Sequence, residues 1–150
     1  MKLAISTPEQ MEYLGVSIAK VLRPGDVVLL EGNLGAGKTT LTRGIGQGLG
    51  ASGTVQSPTF VLARTHRTKA GPKLVHVDAY RLASAVELDD LDIDYERSIV
   101  VIEWPRDFLD GLVSEFLKVE IDRGAADDVR TVTISSQGSR WEGVTDAIGN

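Results

Sequence analysis

Residues 27–39 read VVLLEGNLGAGKT, and this stretch decides what kind of fold the chain forms. Residues 32–39 match the phosphate-binding pattern G-x-x-x-x-G-K-[ST] at every fixed position. The glycines of such a loop let the backbone turn tightly and aim successive N–H groups at phosphate oxygens. Lys38 is predicted to reach the β- and γ-phosphates, and Thr39 is predicted to place its hydroxyl on Mg²⁺.

The residues on both sides of the loop favour the same interpretation. Residues 27–30 are all apolar, which is typical of a strand buried on both faces. Residues 39–49 are predicted to form a helix whose positive N-terminal end faces the phosphates, and Gly50 is placed to end it. A chance glycine-rich turn is the alternative, but strand, loop and helix come in the order that a phosphate loop requires.

The predicted helix after the loop contains Gly44, Gly46 and Gly48. Each glycine disfavours a helix by up to about 1 kcal/mol relative to alanine. Either close packing against the sheet or a partner requires them, or the end of the helix is loosely held. The sequence leaves both explanations open.

Helices and strands are also predicted on either side of this unit. Thr7 is a good N-cap for a helix that begins at Pro8, and Gln10 can complete a capping box. Strands are predicted at residues 2–5, 60–65, 73–77, 98–102, 116–121 and 129–135.

Length and composition indicate one domain. The chain has 150 residues, of which 42% are hydrophobic and 25% charged, as is ordinary for a globular protein. We expect the domain to cover residues 1–135. Residues 136–150 are expected to form a weakly ordered C-terminal segment, except where Trp141 anchors it.

Several classes of protein are disfavoured by what the sequence lacks. No run of about twenty apolar residues is present to span a membrane, and the N-terminus has no secretion-signal pattern. The absence of cysteine excludes disulfides and thiol chemistry and fits a cytoplasmic protein. A net charge of −5 argues against a broad nucleic-acid-binding surface, although a local basic patch is left open.

Two predicted strands end in carboxylates. Asp78 follows the apolar residues of one strand, and Glu103 follows the more strongly apolar run 100–102. Ligands of open α/β sheets bind beyond the carboxyl ends of the strands, where a carboxylate can hold Mg²⁺ or orient an attacking water. Glu103 is the better candidate for the acid on the metal side. For either residue, an N-cap or a surface ion pair is the structural alternative.

His76 and Trp104 lie close to these carboxylates in the sequence. His76 is as well explained by packing within a strand as by catalysis. Trp104 is by default a packing residue, but it directly follows Glu103.

Two absences bear on the nucleotide and the reaction. The chain has no Asn-Lys-x-Asp segment to read guanine, and Asp78 is followed by Ala-Tyr-Arg instead of the x-x-Gly of a GTPase switch, so adenine is favoured. A small-molecule kinase normally needs a basic lid and an acceptor pocket. The only basic cluster at a suitable distance is weak evidence for such a lid, and it consists of Arg64, His66, Arg67 and Lys69.

Four segments together carry a family resemblance: GNLGAGKTT at 32–40, SPTF at 57–60, HVDAYRL at 76–82 and IEWP at 102–105. In their order and spacing the chain resembles the bacterial TsaE (YjeE) family of P-loop ATPases, which serve threonylcarbamoyladenosine modification of tRNA. The resemblance covers about residues 1–135. Ala79 is a small departure, because the family usually has a bulkier residue before the tyrosine.

The resemblance implies a three-layer α/β P-loop NTPase fold with a central, mainly parallel but mixed sheet, and it implies ATP and Mg²⁺ as cofactors. It implies that Thr39 and Glu103 lie near the metal and that Asp78, in a switch-like segment, acts with Glu103 in catalysis. The residues predicted to contact the nucleotide are Thr7, Leu34, Gly35, Ala36, Gly37, Lys38, Thr39 and Thr40.

The resemblance also implies that this chain does not itself modify tRNA. It is expected to hydrolyse ATP while docked on the TsaB–TsaD pair, which transfers the threonylcarbamoyl group to the adenosine beside the anticodon. Two other functions stay open at this point: a small-molecule kinase that uses the same loop, and a nucleotide-dependent binding module with negligible turnover.

Overall fold

The fold was analysed in a computed structural model of the 150-residue chain. The structure describes residues 1–33, 35–53, 63–79, 91–104, 113–124 and 129–148. Within these ranges no helix combines the length and the apolar character that crossing a membrane requires.

Seven strands and two α-helices make up the described framework. The strands are β1 (Lys2–Ile5), β2 (Val27–Gly32), β3 (Ala63–His66), β4 (Lys73–Asp78), β5 (Ser98–Trp104), β6 (Phe116–Arg123) and β7 (Arg130–Gln137). The helices are α1 (Pro8–Ala19) and α2 (Lys38–Leu49), and two 3₁₀ helices, Ser139–Trp141 and Thr145–Ala147, follow β7. Each strand predicted from the sequence is confirmed to within a few residues, although residues 60–62 lie outside the described ranges.

The strands form one mixed sheet in the order β1-β7-β6-β2-β5-β4-β3. The central strands β6, β2, β5 and β4 pair in parallel, and the outer pairs β1–β7, β7–β6 and β3–β4 are antiparallel. This arrangement confirms the predicted α/β fold class with a mainly parallel but mixed sheet. It also brings the carboxyl ends of β2, β4 and β5 to one edge.

The core lies on both faces of the sheet, as the uninterrupted apolar run in β2 predicts. Val28 and Leu30 point into the larger cluster, which contains the inward faces of α1 and α2. Val27 and Leu29 point into a smaller cluster on the opposite face. Because β2 is buried on both sides, the loop that follows it starts from a rigid strand end.

Helix α1 begins where the sequence predicts. The Thr7 hydroxyl accepts a hydrogen bond from the Gln10 backbone N–H at 3.1 Å. The side chain of Gln10 accepts from the backbone N–H of Ser6 at 2.7 Å, one residue before the position of a standard capping box. These bonds hold the start of α1 in place beside the loop between β2 and α2.

Helices α1 and α2 contact each other through their glycines. A Cβ built on Gly44 would overlap the carbonyl oxygen of Glu12, and one built on Gly15 would overlap the carbonyl oxygen of Leu41. A Cβ on Gly48 would lie only 2.5 Å from the Cβ of Ala19. Close packing therefore explains Gly44 and Gly48, and the partner is α1 instead of the sheet.

Replacing Gly44 by Ala is expected to destabilise the protein by about 1–3 kcal/mol, because the added methyl group meets the backbone of α1. Helix propensity alone predicts that the alanine stabilises the protein by about 1 kcal/mol. Thermal unfolding distinguishes destabilisation from stabilisation, since about 1 kcal/mol corresponds to about 2–4 °C in a protein of this size. Gln47→Ala, at an exposed position of the same helix, is the control. A melting temperature raised by Gly44→Ala would contradict the proposed packing.

The residues after 135 pack onto the domain. β7 extends to Gln137, and Trp141 and Ile148 are both buried in the larger cluster. Arg140 donates from Nε and Nη2 to the two carboxylate oxygens of Asp26 at 2.9 and 2.8 Å. Residues 136–148 thus contact the domain through Trp141, as the sequence allows, and through a partly buried ion pair that the sequence pattern does not reveal.

Candidate functional site

The loop predicted to hold phosphate connects β2 to α2, so it leaves a buried strand and enters a helix N-terminus. Gly35 and Gly37 have φ angles of +79° and +119°, which side chains rarely tolerate. At Gly32 a Cβ would come within 2.8 Å of the carbonyl oxygen of Ile121. The local backbone thus explains why each described position of this kind in the loop is glycine. Leu34 lies outside the described residues.

Lys38, the first residue of α2, is turned back over the loop. Its side-chain Nζ donates to the Gly32 carbonyl oxygen at 2.6 Å, and the residue is only 8% exposed. A buried cation is costly unless it has anionic or hydrogen-bonding partners. An anion beside the loop would meet this ammonium group and the positive end of α2 together.

Glu103, the acid predicted to lie near the metal, is found beside the loop. The Thr39 hydroxyl donates to Oε1 of Glu103 at 3.4 Å, which joins the start of α2 to the end of β5. Asp78 is paired with Glu103 across β4 and β5, and the two residues are 8% and 5% exposed. Two buried carboxylates at the carboxyl ends of neighbouring strands, together with the Thr39 hydroxyl, are oxygen groups of the kind that Mg²⁺ prefers.

These residues fit a magnesium ion that also binds phosphate. No group of three or more His, Cys, Asp or Glu side chains able to hold a metal was found among the described residues. Magnesium commonly takes one or two carboxylates and completes its shell with water and substrate phosphate. The Oε2 atom of Glu103 has no hydrogen-bond donor within the described part of the chain, which leaves it available for a cation.

His76 also contacts Glu103. Its Nε2 lies 3.2 Å from Oε1 of Glu103, and the residue is fully buried on β4. The other ring nitrogen, Nδ1, is buried and has no hydrogen-bond partner among the described residues. A buried polar atom left in this state costs about 1–3 kcal/mol.

A cavity of about 220 Å³ opens between the start of α1 and the loop. Five of the residues predicted to contact the nucleotide line it, namely Thr7, Gly35, Ala36, Gly37 and Thr40. The other lining residues are Ile5, Ser6, Pro8, Met11 and Arg130. The hydrogen bonds that fix the start of α1 thus also shape one wall of this cavity.

Arg130 is a site residue that the sequence analysis did not identify. It lines the cavity, and its Nε donates to the Ala36 carbonyl oxygen at 3.1 Å. Arg130 is 94 positions from Ala36 in the sequence. Only the pairing of β7 between β1 and β6 brings it to the loop, and no local motif encodes that pairing.

Glu31 is a third acid near the loop, but its carboxylate is paired elsewhere. The Nζ of Lys118 lies 3.2 Å from a carboxylate oxygen of Glu31 and 3.2 Å from one of Glu120. Burial alone would lower the pKa of Lys118, but the hydrogen bonds and charges of Glu120 and Glu31 outweigh burial and raise its pKa above 10.5. Lys118 therefore stays charged near neutral pH and holds Glu31 on the face opposite the helices.

The structure brings most of the predicted site residues together. Thr7, Gly35, Ala36, Gly37 and Thr40 line the cavity. Thr39 contacts Glu103, Asp78 is the neighbour of Glu103 in the sheet, and Lys38 contacts the end of β2 at Gly32. Segment 57–60, residues 80–82 and Pro105 fall outside the described residues, and so does the side chain of Trp104. Arg64, His66, Arg67 and Lys69 lie on β3 and the turn after it.

Comparison with known proteins identifies a family. A family model described as "Threonylcarbamoyl adenosine biosynthesis protein TsaE" matches residues 5–132. A Streptomyces coelicolor protein named tRNA threonylcarbamoyladenosine biosynthesis protein TsaE is 51% identical over 138 residues, which cover 87% of this chain and 93% of that protein. A Bacillus subtilis protein of the same name is 37% identical over 145 residues, which cover 95% and 89% of the two chains.

The crystal structure of YdiB from Bacillus subtilis has a similar fold. The TM-score is 0.81 at 30% sequence identity, and the match covers 99% of this chain and 93% of YdiB. The family match at residues 5–132 includes every residue of the candidate site from Thr7 to Arg130. The geometry described above therefore lies wholly within the matched region.

Proposed function

The chain belongs to the TsaE family of tRNA threonylcarbamoyladenosine biosynthesis, and from this premise we propose that it binds and hydrolyses ATP with Mg²⁺ while docked on the TsaB–TsaD pair. The observation that carries the proposal is the contact between Thr39 and Glu103 beside the buried Lys38. A hydroxyl, a carboxylate and an ammonium group converge there on the space next to the loop. We also propose that it works in the cytoplasm, where tRNA is its indirect target.

Each group in the site has a distinct task in this reaction. The backbone N–H groups of the loop and the Lys38 ammonium hold the β- and γ-phosphates. Thr39 and Glu103 hold Mg²⁺, which neutralises charge on the phosphate oxygens when it is bound. Asp78, one strand away from Glu103, positions metal or water. Phosphoryl transfer depends mainly on such positioning and charge stabilisation, so no covalent intermediate on the protein is needed.

ATP is favoured over GTP as the nucleotide. The chain has no Asn-Lys-x-Asp segment that would read guanine. The cavity beside Thr7 and Thr40 adjoins the loop and offers a place for the nucleoside. A nucleotide that spans from this cavity to Glu103 would contact the start of α1, the loop and the end of β5 together.

A switch that reports bound ATP to a partner suits this site better than rapid turnover by the isolated chain. Asp78 is the last residue of β4 and pairs in register with Glu103, so the chain leaves β4 next to the proposed metal site. A change at that phosphate would pass directly into the chain that follows β4, as it does in switch loops. A partner that prefers the ATP-bound state must also tighten ATP binding, by thermodynamic linkage.

The test mixes the purified chain with the TsaB–TsaD pair in ATP, in ADP and without nucleotide. We expect complex formation that depends on ATP, slow phosphate release by the isolated chain, and faster release with the pair. Equal association in all three conditions with unchanged turnover would overturn the proposal. Phosphate transferred to a small acceptor would favour the kinase, and assembly driven by ATP without hydrolysis would favour the binding module.

A further inference from the structure

We propose that His76 is a positioning residue that orients the Glu103 carboxylate and thereby sets how strongly Mg²⁺ promotes ATP binding. The inference rests on the proposed function, because it concerns the same site. It assigns a task to a buried histidine that neither the loop motif nor the proposed reaction uses.

Two donors share one carboxylate oxygen of Glu103. Oε1 of Glu103 accepts from the Thr39 hydroxyl and lies 3.2 Å from Nε2 of His76. Thr39 approaches from α2, and His76 approaches from β4, the strand next to Glu103. Because two donors contact Oε1, rotation of the carboxylate group is restricted. Oε2 has no donor among the described residues.

The contact with Glu103 defines the role of one ring nitrogen. Glu103 offers only acceptor oxygens when ionised, so Nε2 is the donor in this contact. Nδ1 is buried and accepts no hydrogen bond from any described residue. A side chain present only to fill this fully buried position would be better apolar, since it would leave no polar atom unsatisfied.

A donor other than lysine or arginine suits a carboxylate that must bind a cation. Lysine or arginine at position 76 would bring a positive charge to Glu103 and compete with Mg²⁺ for it. The N–H at Nε2 of His76 fixes the orientation of the carboxylate through Oε1 and leaves Oε2 for the metal. Donors placed behind a metal ligand in this way commonly change metal affinity by about 10–100-fold when they are removed.

Three substitutions separate orientation from packing. In His76→Gln the amide nitrogen reaches about the place of Nε2 and can still donate to Glu103. In His76→Asn the same amide is one carbon too short, and His76→Leu has no donor. If the leucine variant fails to fold, the Gln and Asn pair still decides the question, because the two side chains differ by one methylene group.

The readout is the affinity for ATP by calorimetric titration in Mg²⁺ and in EDTA. We expect the gain in affinity due to Mg²⁺ to be kept in His76→Gln and to fall by about tenfold or more in His76→Asn and His76→Leu. Affinity in EDTA should stay at the wild-type value in all three variants. Thermal unfolding without nucleotide confirms that each variant is folded.

The outcomes distinguish this inference from the proposed function. A wild-type chain that binds no ATP, or binds it without regard to Mg²⁺, would overturn both. A wild-type chain that behaves as proposed, with His76→Leu or His76→Asn retaining its full Mg²⁺ effect, would overturn only the role of His76. Equal losses in the Gln and Asn variants would also overturn it, because they would point to packing instead of the donated hydrogen bond.

Discussion

Replacing Lys38 by Ala is expected to weaken ATP binding by at least about tenfold and to leave the fold intact. Hydrogen bonds from a charged donor to phosphate contribute about 1.5–3 kcal/mol, and about 1.4 kcal/mol corresponds to a factor of ten. Lys38 is 8% exposed, and its Nζ is held at the Gly32 carbonyl inside the loop. It would therefore meet the phosphates from a fixed position and lose little side-chain freedom when they bind.

Calorimetric titration with ATP measures this loss, and Lys73→Ala is the matched control. Lys73 is an exposed lysine at the start of β4, at the opposite end of the strand from Asp78. Removing it changes the net charge by the same amount without touching the loop. Thermal unfolding of the apo protein confirms that Lys38→Ala still folds, as expected because alanine favours the first turn of α2. Unchanged ATP affinity would refute the assignment of the loop.

The parts of the fold that sequence could predict are those encoded by neighbouring residues. The uninterrupted apolar run 27–30 predicted β2. The loop motif and Gly50 predicted the limits of α2 to within one residue. Thr7 marked the start of α1 because capping acts over three residues. In each case a local pattern and the local structure have the same physical cause.

Contacts between distant segments were not predictable in the same way. Helix propensity counts Gly44 as a weakness of α2, and only the packing of α1 against it explains the glycine. The ion pair between Arg140 and Asp26 joins residues 114 positions apart, so no window of sequence contains it. These features depend on tertiary packing, which overrides the preferences of single residues.

In the candidate site, too, residues within local patterns were predictable from the sequence, and residues that depend on distant contacts were not. The motif placed Lys38 and Thr39, and the carboxyl ends of apolar strands indicated Asp78 and Glu103. The cavity wall formed by Arg130 depends on where β7 lies in the sheet. From the sequence, His76 could be explained equally well by packing or by catalysis. Its 3.2 Å contact with Glu103 indicates a third role, the orientation of that carboxylate.

Replacing Glu103 by Gln is expected to keep ATP binding, with a smaller gain in affinity from Mg²⁺, and to slow hydrolysis at saturating ATP by more than about tenfold, since charge and positioning dominate phosphoryl transfer. Glutamine has the shape of glutamate, and its carbonyl oxygen can still accept from Thr39 and His76. What it lacks is the negative charge that would hold Mg²⁺ at the γ-phosphate. The measurement is phosphate release in the presence of the TsaB–TsaD pair, where turnover is expected to be fastest.

Glu120→Gln is the control for that variant, because Glu120 lies on β6 and its carboxylate pairs with Lys118 instead of facing Thr39. It removes one negative charge from the same sheet, so any general effect of net charge appears in both variants. Equal turnover in Glu103→Gln and the parent chain would make Glu103 a structural acceptor for Thr39 and His76 only. Loss of ATP binding in EDTA as well as in Mg²⁺, with the fold retained, would instead mean that the Glu103 carboxylate acts on the nucleotide without the metal. Slow phosphate release at saturating ATP and Mg²⁺ assigns the carboxylate to the hydrolytic step.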